Sequence, residues 1–162
     1  MDEINRANLA QVFGELMYLL EYREKTVSLA GGEPFQIPDK VRIIGTMNTA
    51  DRSIAPIDYA LRRRFAFISL HPDYTVLIEY HKNRNLGFSL DKLISILKQI
   101  NQSIDDPNYE IGVSFFLKED IGSILEIVWR TEIEPYLEEY FFRQKAKMKQ
   151  FKWEIISDEL IP

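Results

Sequence analysis

Three segments of this 162-residue chain carry side chains whose types and spacing suit chemistry: Asp2-Glu3, Asn48 with Asp51 and Arg52, and Arg62-Arg63-Arg64. Of two adjacent carboxylates at a strand end, one can hold Mg²⁺, directly or through water, while the other orients or deprotonates an attacking water. A neutral amide such as Asn48 donates to a phosphate oxygen or holds a water without adding a competing negative charge, and Asp51 and Arg52 can pair or reach a neighbour. Planar, permanently charged guanidinium groups on a rigid element meet the need of a trans-acting arginine finger, which stabilises charge on a phosphoryl group in transfer. Each segment alone also has a plain reading: acids favoured by a helix dipole, an Asx turn, and a solvated basic turn.

The elements that would position these groups follow from periodicity. Leu9, Val12, Phe13, Leu16, Met17, Leu19 and Leu20 recur at helical spacing and predict an amphipathic helix over 7–22. Two short runs around Gly31-Gly32 predict a hairpin. Val41–Met47 and Phe65–Leu70 are apolar, β-branched or aromatic runs with a short helix over 56–64 between them, the pattern of two buried strands in a parallel crossover. Ligands of parallel sheets sit at such strand ends. Beyond His71-Pro72 the pattern turns helical, with helices predicted over 74–85, 89–104, 120–130 and 135–148, Ser89 as an N-cap and a turn at Asp105–Asn108. The fold class is therefore α/β: a partial parallel layer followed by a helical bundle.

Composition bounds the function. Hydrophobic residues make up 46% and charged residues 28%, enough for a core, and the net charge of -5 gives no bulk electrostatic grip on nucleic acid or anionic lipid. Zero cysteines exclude disulfides and thiolate chemistry. His71 and His81 lack ligand-spaced partners and read as structural, and Phe115-Phe116 and Tyr140-Phe141-Phe142 read as core. Arg143, Lys145, Lys147, Lys149 and Lys152 form a basic stretch, read as a solvated helix end that could also touch DNA or an acidic partner. No apolar run approaches the ~18 residues of a membrane span and the acidic start is unlike a signal peptide, so a cytoplasmic protein with no membrane partner is expected.

In this order the segments resemble the second half of an AAA+ NTPase core, specifically that of the McrB family of modification-dependent restriction motors. Asp2-Glu3-Ile4-Asn5-Arg6-Ala7-Asn8 is similar to the family's Walker B motif and its continuation, and Ile44–Ser53 to its sensor-1 signature. Ile57–Phe65 is similar to its arginine-finger segment, and Trp129–Phe141 to its helical lid. The resemblance implies that 1–71 is the C-terminal half of the α/β core and 72–162 the lid and a C-terminal extension. It further implies that Asp2 serves Mg²⁺, Glu3 serves the water, Asn48 senses the γ-phosphate, Asp51 and Arg52 belong to the nucleotide site, and one or more of Arg62, Arg63 and Arg64 reach the neighbouring subunit's nucleotide. GTP or ATP, a hexameric ring of identical subunits, an McrC-like nuclease subunit and DNA bound through other regions complete the implied setting.

One part of the family pattern is missing. No Gly-x-x-x-x-Gly-Lys-Ser/Thr phosphate loop occurs in the sequence, and Met1 stands where the Walker B strand should end. The expectation is a segment lacking the N-terminal part of its AAA+ core, binding no nucleotide tightly and inactive alone. The alternatives are a related MoxR or dynein-like AAA+ ATPase segment and a non-enzymatic helical interaction module.

Overall fold

The computed structural model describes residues 1–6, 13–14, 16–29, 31–50 and 59–161. They form two compact units, Met1–Ser69 and Leu70–Pro162.

In the first unit a 3₁₀ turn at Ile4–Arg6 is followed by helix α1 (Leu16–Glu21), strands β1 (Val27–Ser28) and β2 (Pro34–Phe35), and helix α2 (Tyr59–Arg62). The expected hairpin is present. Val27 faces Phe35 and Ser28 faces Pro34 in an antiparallel pair, and Gly32, at φ 82°, supplies the left-handed residue of its turn. A small cluster forms around buried Phe13, with Ile4, Leu16, Met17, Leu20 and Phe65 against it. Much of the predicted helix over 7–22 lies outside the described residues, as does the start of the one over 56–64.

The two predicted parallel strands are not formed. Residues 41–48 and 65–70 carry no sheet ladder between them, and Ile44 and Ile68 are 78% and 83% exposed. A parallel strand is stable only with neighbours on its edges and helices on its faces. Among the described residues neither run has the full set: 44–46 bonds only to the first four residues, and 65–70 joins no strand.

The second unit is helical, as predicted, and holds a continuous core. Helix α3 (Tyr74–His81) is capped by Asp73, whose carboxylate accepts from the Thr75 amide at 2.9 Å and hydroxyl at 2.7 Å. Those two bonds hold Asp73 below the usual carboxylate range. Helix α4 (Leu90–Ser103) is capped by Ser89 and buries Leu93, Ile94, Ile96, Leu97 and Ile100, the stripe its periodicity requires. Buried Asn101 clamps the chain at Ile111, accepting from its amide at 2.8 Å and donating to its carbonyl at 3.1 Å. Tyr136 donates to the Tyr109 carbonyl at 2.6 Å, and burial pushes its phenol up to about 12, so it remains a donor at ordinary pH. His81 is buried against the Phe116 carbonyl at 2.8 Å, in the structural role expected of it.

The later helices differ from expectation. Helix α5 (Ile121–Val128) passes without a break through a π turn at Trp129–Ile133 into α6 (Glu134–Tyr140). Pro135 has no N–H and its ring would crowd the carbonyl four residues earlier; widening the turn relieves this without ending the helix. The predicted helix over 135–148 instead stops at Tyr140, and α7 (Lys145–Lys149) and α8 (Trp153–Leu160) follow. Two bonds fix their return. The Trp129 indole donates to the Phe151 carbonyl at 2.9 Å, and buried Glu134 accepts from the Trp153 amide at 2.7 Å and from Lys152 at 3.1 Å.

Two outcomes follow for stability of the helical unit, both read from the urea midpoint by fluorescence of Trp129 and Trp153, the chain's two tryptophans, which both lie in it. A Cβ at Gly122 would stand 2.4 Å from the Leu86 carbonyl oxygen. Gly122→Ala is therefore expected to destabilise by roughly 1–3 kcal/mol although alanine favours helices; an unchanged or higher midpoint would contradict that packing. Glu134→Ala, which strands the Trp153 amide, should cost about 2 kcal/mol, and Glu134→Gln, which keeps an acceptor, clearly less.

Candidate functional site

The start of the chain and residues 44–50 are held together by backbone bonds running in one sense. The Met1 amino group donates to the Ile44 carbonyl at 2.9 Å, the Thr46 amide to the Met1 carbonyl at 3.0 Å, and the Ile4 amide to the Thr46 carbonyl at 2.9 Å. This is parallel pairing in miniature. Gly45 makes the approach close, since a Cβ there would meet Ile4 Cγ2 at 2.9 Å.

Thr46 sits at the centre. Its hydroxyl donates to the Asp2 carboxylate and accepts from the Glu3 amide at 3.2 Å. One side chain thus spends its single proton on one acid and a lone pair on the backbone of the other. Glu3 adopts φ 46°, a left-handed conformation that costs a non-glycine residue about 1–2 kcal/mol, and its carboxylate pairs with Arg6 at 2.6 Å. Strain of this kind collects at functional sites.

Asn48 joins the same cluster. The Asn5 side-chain amide donates to the Asn48 carbonyl at 3.0 Å, and Asn48 Oδ1 accepts from the Ala50 amide at 3.0 Å, an Asx turn. That turn occupies the acceptor end of Asn48 and leaves its Nδ2 as the end able to donate. The Asx turn expected of an ordinary Asn segment is therefore present. Asp51 and Arg52 lie outside the described residues.

Two of the arginines are organised by a residue that no local sequence pattern singles out. Glu21, in α1, accepts from Arg63 at 2.9 Å and from Arg64 at 2.6 Å. Arg64 is the more enclosed, its side chain 12% exposed against 63% for Arg63. Arg62 differs: its guanidinium lies 5.7 Å from the centre of the Phe67 ring, with no carboxylate partner among the described residues. The structure thus brings Asp2, Glu3 and Asn48 together and places Arg63 and Arg64 in a separate, Glu21-centred group, with Arg62 outside both. Thr46, Asn5 and Glu21 are the additions. Their partners lie 42 to 44 residues away in the chain, beyond the reach of local pattern.

Oxygen donors alone are offered at the Asp2 end, which suits Mg²⁺, an ion usually held by one or two carboxylates with waters and phosphates completing its shell. Among the described residues no group of three or more His, Asp or Glu could hold a metal unaided. Thr46→Val removes both hydroxyl bonds while keeping the backbone pairing. Amide exchange at Glu3 should quicken roughly fivefold, with Thr46→Ser close to the parent; equal rates in Thr46→Val would remove Thr46 from this role.

Residues 1–65 match the AAA domain (dynein-related subfamily), and residues 92–149 match the McrB alpha-helical lid domain. The chain is 37% identical, over 98% of its length, to the Type IV methyl-directed restriction enzyme EcoKMcrB subunit of Escherichia coli K12, and spans 39% of that protein. It is 33% identical, over 51% of its length, to the Type II restriction enzyme BsuMI component YdiS of Bacillus subtilis 168, covering 27% of it. No helix among the described residues is long and apolar enough to cross a membrane. The family matches to residues 1–65 and 92–149, with 37% identity carried over 98% of the chain, place it in the McrB family of AAA+ proteins.

Proposed function

We propose that this chain supplies the hydrolytic end of a GTP or ATP site in the motor subunit of a multi-subunit restriction system, with a nuclease subunit as partner. The observation that carries the reading is the Thr46 hydroxyl, which ties Asp2 and Glu3 to the segment bearing Asn48. Asp2 would hold Mg²⁺, which when bound neutralises charge on the β- and γ-phosphates. Glu3 would accept the proton of the attacking water as its oxygen bonds to the γ-phosphorus and the bond to the β-phosphate oxygen breaks. Asn48 Nδ2 would donate to the γ-phosphate, and Asp51 and Arg52 would lie at the nucleotide.

Binding of the phosphates needs a cradle of backbone amides with a lysine, which must come from the other part of an AAA+ core. Extended pairing with that part would also cover the exposed apolar residues of 41–48 and 65–69. In a hexameric ring an arginine following the sensor segment faces the nucleotide of the next subunit. Arg62 is the best placed of the three for that task, because Glu21 engages Arg63 and Arg64.

The test uses the complete AAA+ module containing this chain. Glu3→Gln subunits should bind nucleotide and hydrolyse it slowly, and Arg62→Ala subunits should lose about 10³–10⁵ in rate. Mixing the two should restore turnover, since each supplies what the other lacks. Normal hydrolysis by Arg62→Ala subunits alone would end the finger assignment, and robust hydrolysis by the 162-residue chain alone would overturn the division of the site between two segments.

A further inference from the structure

Most strong cation contacts of the helical unit are ion pairs. Arg130 bridges Glu126 at 2.8 Å and Glu154 at 2.6 Å, Arg84 meets Glu119 at 3.4 Å, and Lys152 meets Glu138 at 2.7 Å. That last residue therefore leaves the basic stretch read from the sequence and becomes part of the α6–α8 junction.

Residues 142–150 behave differently. The run Phe-Arg-Gln-Lys-Ala-Lys-Met-Lys-Gln contains four cations and no acid in a chain whose net charge is -5. Met148 is its one buried residue and anchors α7, so Arg143, Lys145, Lys147 and Lys149 are all exposed. None makes an ion pair within the described residues; Lys147 rests 5.9 Å from the Phe141 ring. Phe142, expected in the core, is instead 70% exposed at the head of the run. Lys145 and Lys149 are one helical turn apart, about 6 Å along the axis, a separation close to that of neighbouring phosphates on one strand.

We propose that residues 142–150 form a docking surface for the phosphodiester backbone of a nucleic acid, with Phe142 available to stack on a base where the strand is single. Three of the four cations are lysines, compact charges suited to phosphate oxygens approached from several directions. The tight carboxylate contacts elsewhere in this chain are mostly made by arginine forks. An exposed ring beside unpaired cations adds a second element of single-strand binding sites, and it gives an acidic protein surface no comparable advantage. The acidic remainder of the chain would turn this face toward the polyanion. The inference does not depend on the nucleotide site.

The experiment is fluorescence anisotropy of the whole chain with labelled 30-nucleotide single-stranded and 30-base-pair duplex DNA of mixed sequence at about 50 mM salt. Binding should weaken about 100-fold for the duplex between 50 and 200 mM salt, as roughly four neutralised phosphates require. Substituting Arg143, Lys145, Lys147 and Lys149 together by glutamine, or Lys145 and Lys149 alone, should lower affinity by at least 50-fold and about tenfold respectively. Lys92→Gln with Lys98→Gln, exposed on α4, should leave it unchanged. Phe142→Ala should weaken single-strand binding about tenfold and duplex binding less than twofold. No binding, binding indifferent to the lysine pair, or displacement by polyglutamate as effective as by unlabelled DNA at equal charge would overturn the proposal, the last pointing to an acidic protein partner.

Discussion

The Thr46 hydroxyl is the constraint on which the candidate site depends. A hydroxyl has one proton, and here it goes to Asp2, so the amide of Glu3 can be served only by a lone pair. Both acids are thereby registered to the same point of the 44–50 segment, and through Asn5 and the Asn48 carbonyl that registration extends to the amide. Left-handed Glu3 is sustained by the same bond together with the Arg6 ion pair. A carboxylate pair on an unconstrained terminus would sample many orientations, whereas catalytic geometry requires a narrow one.

The two units rest on different physics. Leu70–Pro162 buries Leu77, Leu93, Leu97, Ile100, Phe116, Ile121, Trp129, Ile133 and Leu137 almost completely, and its polar groups Asn101, Glu134 and Tyr136 are matched by backbone partners. Met1–Ser69 has a much smaller cluster around Phe13 and leaves apolar residues such as Ile44 and Ile68 in solvent. Burial of apolar area drives folding, so the helical unit carries its own stability. The candidate site lies in the unit with less of it.

Legibility in the sequence divides along the same line. The hairpin, the Ser89 cap, the α4 stripe and the helical character of the second half are local properties, set by residues within a few positions of one another, and were readable. The parallel strands were misread because an apolar β-branched run reports a need for burial and says nothing of whether neighbours are present to meet it. Pro135 suggested a break, but a proline removes only one donor, and the π turn absorbs that loss. Helix α8 had a readable signal in Trp153, Ile156 and Leu160, at spacing three and four, which the basic residues before it obscured. Thr46, Asn5 and Glu21 were hidden for another reason: a hydroxyl or carboxylate acquires meaning only from a partner some forty residues away.

Glu21 shows how such a partner can shape function without touching a substrate. Its single Oε2 receives both Arg63 and Arg64, and Arg64 makes the shorter, more enclosed contact. An exposed ion pair adds little stability, but an enclosed one fixes geometry, and two arginines converging on one oxygen restrict the chain around α2 more than either alone. Arg62, one residue earlier, is then carried on a segment whose path is already set. On the proposed reading, this lowers the entropy lost when Arg62 reaches a neighbouring phosphate, because only its side chain must be ordered. On that reading, consecutive arginines of equal chemistry divide into two that hold the segment and one that would make contact beyond it.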